Sequence, residues 1–450
     1  MDARAWLTGK VFYPLWDVKD GSHRLSDWRA LERSQWLPSS ELKRRQWESA
    51  RRLIEYAYQH CAFYRDRLDG AGLASGAAAT PETWARIPIL TKREVRDNVD
   101  GLLSDRFRRE DLILAKTGGS TGTALRVYFD RRCQEARNAA ALRSDRWAGW
   151  EPGVRKISVW GNPPLARSLK ERLRNALHDR TEYLDTMEIN EVSLRRFLAT
   201  ARTPGPFAIQ GHAHSIFIVA RWLEERAELS LRPMSVITTS MMLLRPERET
   251  IERVFGCRVT DRYGCEEVGL IACECEKHQG MHLNVDHLLV ECLREDGVPA
   301  AQGEEGRLVI TDLMNVAMPL IRYGIEDVGV LSDRACPCGR GLPLLERVIG
   351  RTADFLVRSD GSLVAGVSLV ERTLTALKGI EQMQIVQEAV DTFRLRLVPA
   401  AGYGPETEEA LSREFRGVFG DAARATVEIV TRISQDPSGK YRFSICKVPY

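Results

Sequence analysis

The loop Thr117-Gly118-Gly119-Ser120-Thr121-Gly122-Thr123 sets three glycines among four hydroxyl side chains. Glycine lets a backbone approach a ligand closely, and hydroxyls with main-chain amides can surround phosphate oxygens. No Lys follows Gly122, so this is not a P-loop. A second chemistry is carried by sulfur. Cys273, Cys275, His278, His282 and the run Cys336-Pro337-Cys338-Gly339 offer more ligands than one tetrahedral ion needs. Two tight cysteine pairs in a long chain of ordinary composition point to a metal before a disulfide. Trp160, Gln210, His212, Phe217 and Met241 lie in segments expected to line a pocket, and an apolar pocket with a few polar groups would suit an aromatic acid.

The elements that must position these residues read clearly from the pattern. At 450 residues the chain calls for two or three domains. The first hundred residues read as helical, with Ser39 or Ser40 placed to cap a helix running to about His60 that sets Ala50, Leu53, Ile54, Ala57 and Tyr58 on one face. Thr91 is placed to cap a charged helix beginning at Lys92. From Leu112 to Gly339, β-rich runs alternate with amphipathic helices. Strands are predicted at Leu125–Phe129, Lys156–Trp160, Phe207–Gln210, Ser235–Thr239 and Arg258–Arg262. Helices are predicted at Cys133–Trp147, Ser193–Ala201, Ser215–Arg226 and Pro246–Val254. That alternation is the mark of an α/β domain. Three antiparallel strands follow, and after Gly350 a helix–strand–strand–helix–strand order predicts a compact α+β unit of about a hundred residues.

Bulk properties remove some functions. A formal net charge of +3, with both signs interspersed and no basic stripe among aromatics, argues against nucleic acid. The longest apolar candidate, Met234 to Leu244, is short and carries Ser and Thr, so no membrane span is expected. The first residues hold no apolar signal core, which makes a cytoplasmic location the expectation.

Four further stretches follow the glycine-rich loop in order. They are Asp261-Arg262-Tyr263-Gly264-Cys265-Glu266-Glu267, Leu320-Ile321-Arg322-Tyr323-Gly324-Ile325-Glu326-Asp327, Gly350-Arg351-Thr352-Ala353-Asp354 and Pro437-Ser438-Gly439-Lys440. Together they resemble the core motifs of the acyl-adenylate-forming enzymes, nearest to phenylacetate-CoA ligase and its capsule-biosynthesis-type relatives. Ile54–Ala57, Phe63–Arg65 and Ile87–Lys92 match as well, so the resemblance covers nearly the whole chain.

The resemblance implies a large α/β adenylation domain over residues 1–350, with several subdomains and a small β-barrel-like part. A small mobile α+β domain over residues 351–450 completes it. ATP would be held by Thr117, Gly118, Gly119, Ser120, Thr121 and Gly122, with Tyr263 and Gly264 at the adenine, Asp327 at the ribose and Arg351 nearby. Glu266 would help hold Mg²⁺, a hard cation suited to carboxylate and phosphate oxygens. Lys440 would cross from the small domain to stabilise charge as the carboxylate attacks the α-phosphate. Asp354 would be the hinge. By the same likeness, a structural Zn²⁺ would sit on Cys275, His282, Cys336 and Cys338.

Several positions depart from the family pattern. Ala124 stands where relatives often carry Pro, Glu326 where they usually carry Gly, Ala353 where the first of two acids is expected, and Ser240-Met241-Met242 where a small residue and an acid are common. The implied activity is ATP-dependent formation of acyl-AMP from a carboxylic acid. The acceptor is expected to be the CoA thiol, with an amine or a carrier-protein thiol as alternatives. A zinc-containing binding protein without catalysis is a further alternative, and the chain is expected to be a monomer or homodimer.

Overall fold

The computed structural model describes residues 3–73, 80–116, 125–161, 168–351, 355–434 and 441–448. The helical start is as the pattern predicts. Helix Ser39–His60 buries Leu42, Ala50, Leu53, Ile54 and Ala57, the stripe expected of a helix lying on a core. Its cap differs from expectation: Pro38 occupies that position, and no side chain accepts from the first turn. Thr91 does cap helix Lys92–Asp97, and Glu94 returns the bond to form a capping box. Arg322 ties this helical layer to the sheet. Its guanidinium donates to Glu291 at 3.1 and 2.9 Å and to the carbonyls of Ala85 and Ile87 at 2.7 and 2.6 Å.

Strands β1 (Ile113–Lys116) and β2 (Arg126–Phe129) pair antiparallel on either side of the glycine-rich loop. Next come β3 (Arg155–Trp160), β4 (Thr181–Asp185), β5 (Phe207–His212), β6 (Ser235–Thr239) and β7 (Val259–Cys265). These five run parallel in the order β4-β3-β5-β6-β7. Helices Glu191–Ala201, Ala213–Glu225 and Arg245–Phe255 cover one face. They bury Leu194, Phe197, Ile216, Leu223 and Ile251 against Ile157, Val159, Ile209 and Val236. Strands buried on both faces are rich in Val and Ile for this reason.

The sheet does not stop at β7. Antiparallel strands β8 (Gly269–Glu274), β9 (Met281–Leu283), β10 (Leu288–Leu293), β11 (Glu305–Asp312), β12 (Tyr323–Ser332) and β13 (Leu344–Arg351) extend it to eleven, in the order β10-β11-β12-β13-β9-β8-β7-β6-β5-β3-β4. The part expected as a small barrel is this antiparallel half. A second core joins it to the Ser39–His60 helix through Leu53, Ile54, Leu90, Ile310 and Tyr323.

The last hundred residues hold their own sheet. A short ribbon, β14 (Phe355–Val357) with β15 (Leu363–Ala365), precedes β16 (Ile380–Ala389), β17 (Thr392–Pro399), β18 (Arg424–Ile429) and β19 (Ser444–Cys446), ordered β18-β17-β16-β19. Helix Pro405–Phe419 sends Leu411, Phe415 and Phe419 onto Phe393 and Leu395. Strand β19, parallel to β16, has no counterpart in the sequence reading. Leu244 of the larger unit is counted in this core, and Met241 and Met242 pack against it. No helix among the described residues is long and apolar enough to cross a membrane.

Candidate adenylation site and metal centre

Ligands of open α/β sheets sit beyond the carboxyl ends of parallel strands, where the strand order switches direction. Here those ends carry chemistry. Trp160 closes β3, and its ring lies 4.7 Å from the ring of His212, which closes β5. His212 is buried and Gln210, on the same strand, half-buried. Ser240 follows β6 with φ +67°, a left-handed backbone that a non-glycine residue adopts at a cost of about 1–3 kcal/mol. Such strain concentrates at functional sites. Tyr263 and Gly264 lie near the end of β7, and a Cβ at Gly264 would lie 2.6 Å from the carbonyl of Gly269, so only glycine fits.

Tyr263 donates its hydroxyl to Asp327 Oδ2 at 2.6 Å. Asp327 comes from β12, where its backbone pairs with Arg351 of β13. Two motifs far apart in sequence therefore meet at the strand ends. The preceding residue explains one departure from pattern. Glu326 takes φ +67°, the conformation glycine favours, and its carboxylate accepts from Lys92 at 2.7 Å.

Glu266 lies on the hairpin turn between β7 and β8 and is exposed. Its neighbour Glu267, which no motif role singles out, is buried, and its Oε1 accepts from the hydroxyl of Tyr323 at 3.2 Å. Burial and then the charge of Glu267 push the Tyr323 hydroxyl up, so it stays a donor. Arg137 holds this turn from outside. Its guanidinium donates to the carbonyl of Glu266 at 3.3 Å, to that of Glu267 at 2.7 Å and to Asp312 at 2.8 Å. It also lies 4.3 Å over the ring of Phe129, on the strand that leaves the glycine-rich loop. No local signal marks Arg137, because its partners are 129 to 175 residues away.

Thr117, Gly118, Gly119, Ser120, Thr121, Gly122, Asp354 and Lys440 lie outside the described residues. Met241 takes its place against the core of the small unit. A cavity of about 960 Å³ opens beside β3 and β4, lined by Arg24, Lys156 and His178 among others. None of the described candidate site residues lines it. Strand-end chemistry, not cavity size, marks the candidate site.

The sulfur cluster assembles from three places. Cys275 follows β8, His282 lies in β9, and Cys336 and Cys338 sit in the connection between β12 and β13. One ligand atom from each falls within 4.8 Å of all the others. Cys275 Sγ is 3.7 Å from Cys336 Sγ, and Cys338 Sγ is 3.2 Å from His282 Nε2. A tetrahedron with metal–sulfur bonds of about 2.3 Å has edges of about 3.7 Å, so the donor set fits zinc. Nδ1 of His282 faces the Leu342 carbonyl at 3.1 Å, which leaves Nε2 for a metal. Burial holds the His282 imidazolium down to a pKa of about 4, keeping the ring neutral and able to ligate. Cys273 and His278 are elsewhere: Cys273 bonds the Glu274 carbonyl, and His278 the Glu274 carboxylate.

The chain is 25% identical to the protein CapK of Staphylococcus aureus over 403 residues, 87% of this chain and 86% of the relative. It is 29% identical to a phenylacetate-coenzyme A ligase of Thermus thermophilus over 332 residues, 71% of this chain and 73% of that one. Residues 356–447 match the CapK C-terminal domain family. The chain resembles the phenylacetate-CoA ligase and CapK branch of the acyl-adenylate-forming enzymes. Its fold agrees. A crystal structure of 2-hydroxyisobutyryl-CoA ligase in the postadenylation state, bound to an acyl-AMP, superposes with a TM-score of 0.73 at 20% identity over 92% of each chain. Against the same ligase in its thioesterification state the score is 0.61.

Proposed function

We propose that the chain activates a small carboxylic acid with ATP and passes the acyl group to the thiol of coenzyme A. The observation that carries this is the pairing of Tyr263 with Asp327 at the carboxyl ends of the parallel strands. In the first step a carboxylate oxygen attacks the α-phosphorus and pyrophosphate leaves, giving acyl-AMP. In the second the CoA thiol attacks the acyl carbon, AMP leaves, and the thiol proton is released.

Each residue has a task in that scheme. Asp327, an acceptor-only carboxylate, takes ribose hydroxyls, and the Tyr263 bond fixes its rotamer. The face of Tyr263 lies against adenine. Glu266 and Glu267, adjacent acids on one turn held by Arg137, would hold Mg²⁺, which neutralises phosphate charge. The rings of Trp160 and His212 suit a flat, aromatic acid. Lys440 stabilises the developing charge on the α-phosphate. A domain boundary at residues 350 and 351, with the hinge at Asp354, lets the small unit turn between the two steps.

Cys275, His282, Cys336 and Cys338 would hold a structural Zn²⁺. Four protein ligands close the coordination shell, so this ion ties loops together and activates no water. All ten cysteines are unpaired with one another, which suits a reducing, cytoplasmic setting. The site is built within one chain, so the scheme asks for no second copy.

The test is ATP–pyrophosphate exchange with Mg²⁺ across a panel of aryl and alkyl acids, followed by mass detection of products with CoA. One acid supporting exchange and yielding its thioester is the expected result. Failure of every acid would return the chain to a zinc-containing binding protein.

A further inference from the structure

His214 and Glu247 form a buried pair that the scheme above leaves without a task. His214 lies in the first turn of helix Ala213–Glu225, two residues beyond His212 at the end of β5. Glu247 lies in the first turn of helix Arg245–Phe255. Both are about 3% exposed, and the Nδ1 of His214 is bonded to Glu247 Oε1. Glu247 Oε2 also accepts from the amide of Leu244 at 3.3 Å. A buried carboxylate and imidazole are costly unless they satisfy each other, and here the bond also fixes the plane of the ring.

What the fixed ring meets is the small unit. The Tyr441 ring stands edge-on to His214 with centroids 4.3 Å apart, and the Phe443 ring lies at 5.6 Å. Leu244, whose amide Glu247 accepts, is itself buried in the small unit's core beside Val367, Val370 and Phe443. Arg221, two turns along the same helix as His214, reaches Glu381 of β16 at 3.8 Å. The described contact between the two units thus includes one polar pair among apolar side chains.

We infer that the His214–Glu247 pair is the seat on which Tyr441 rests when the small unit is docked for acid activation, and that His214 is a positioning residue for that step alone. The inference rests on the adenylation reading. Tyr441 directly follows Lys440 in the chain, so one peptide bond links the residue on the seat to the residue that the scheme assigns to the first half-reaction. Acyl transfer requires the small unit to turn, which breaks the ring contact. The seat therefore favours the first half-reaction and contributes nothing to the second.

The experiment uses full-length His214→Gln, Tyr441→Ala and the double variant. Gln keeps a donor for Glu247 and so leaves no bare carboxylate in the core. Tyr441→Ala leaves the His214–Glu247 pair untouched. Each single variant is expected to slow pyrophosphate exchange about five- to tenfold, the weight of one aromatic pair. Transfer of a synthetic acyl-AMP to CoA should stay within twofold of the unaltered chain. The double variant should be no slower than the worse single, because both remove one contact. Equal loss in both half-reactions, or losses that multiply in the double variant, would overturn the seat. Hydrogen exchange over residues 441–446 gives a reading that needs no activity. Faster exchange there in His214→Gln supports the seat even if no acid is found, and unchanged exchange rejects it. Loss of all exchange activity in the unaltered chain would count against the adenylation scheme instead.

Discussion

Asp327 and Tyr263 meet at 2.6 Å although 64 residues separate them, and that contact fixes what single substitutions should do. Removing the carboxylate in Asp327→Ala deletes charge-assisted bonds to ribose worth about 1.5–3 kcal/mol, so the KM for ATP should rise about ten- to hundredfold. Tyr263→Phe keeps the ring against adenine and loses only the hydroxyl, so its KM should change less than about fivefold. Steady-state exchange at varied ATP checks both. A second residue gives a pH signature. Burial, and after it the charge of Glu274, push the Asp261 carboxyl up to about 7, while Thr238 donates to its Oδ1 at 2.6 Å. The folded pKa lies above the unfolded value of about 3.9. Between those limits the folded chain keeps a proton that the unfolded chain has released. Stability from this group is therefore full below about 4 and falls as pH rises to about 7. Asp261→Asn keeps an acceptor for Thr238 and removes the titration. Its advantage over the unaltered chain should grow between pH 5 and 8 to an amount on the order of 2 kcal/mol, read from melting temperatures. Legibility at this scale was uneven. Motif order placed Tyr263 and Asp327, and it marked Glu326 as standing in a glycine's position, where φ is +67°. It did not separate Glu266 from Glu267, because adjacent residues at a turn differ in burial for reasons that lie in the packing of Tyr323.

Elements were the most legible scale, because hydrophobic period is local and the large sheet obeys it. The strands predicted at Lys156–Trp160 and Ser235–Thr239 and the helix predicted at Pro246–Val254 fall within a residue of those observed. Strand β4 escaped because its half-exposed edge, with Glu182 and Tyr183 outward, lacks an apolar run. Strand β19 escaped because three residues are too few to show a period. Connections, by contrast, bring the four candidate metal ligands together, and the sequence held all four among its Cys and His candidates, with the resemblance choosing the set. The cluster joins β8, β9 and the link from β12 to β13, so an ion there would fasten three segments of one sheet. Purified protein should carry about one zinc per chain. Cys336→Ser should lose it, and its melting temperature should fall by about 5 °C, in line with a tightly bound ligand lost from the folded state. Cys273→Ser should keep its zinc, since that thiol bonds the Glu274 carbonyl outside the cluster. Metal analysis of the two variants side by side separates a metal centre from a set of buried thiols.

At the scale of the whole molecule, the question is what two cores and a turnable contact are for. Residues 356–443 bury their own cluster around Phe393, Leu395 and Phe415, yet that cluster also holds Leu244 from the larger unit. In the proposed scheme, a unit with a core of its own that shares one edge moves as a body. The shared edge is mixed, and among the described residues it includes Met241, Met242 and Leu244, the His214 ring on Tyr441, and the Arg221–Glu381 pair. Such an interface holds one arrangement without locking it, as a two-step reaction on a shared acyl-AMP requires. The sequence could announce the second unit through its change of pattern after Gly350, but not its docking edge, which is written in residues 214–247 of the other unit. Lys440 belongs to the mobile partner in this scheme, and its charge is used in one step. Removing it takes away a preorganised cation worth about 10²–10³ in rate. Lys440→Ala should therefore cut pyrophosphate exchange by about that factor while leaving the melting temperature unchanged. Given acyl-AMP made chemically, the same variant should form thioester with CoA at nearly the unaltered rate, because the phosphate chemistry is already done. Exchange and thioester formation falling together would mean that Lys440 serves the fold or both steps, and the division of labour between the two arrangements would have to be abandoned.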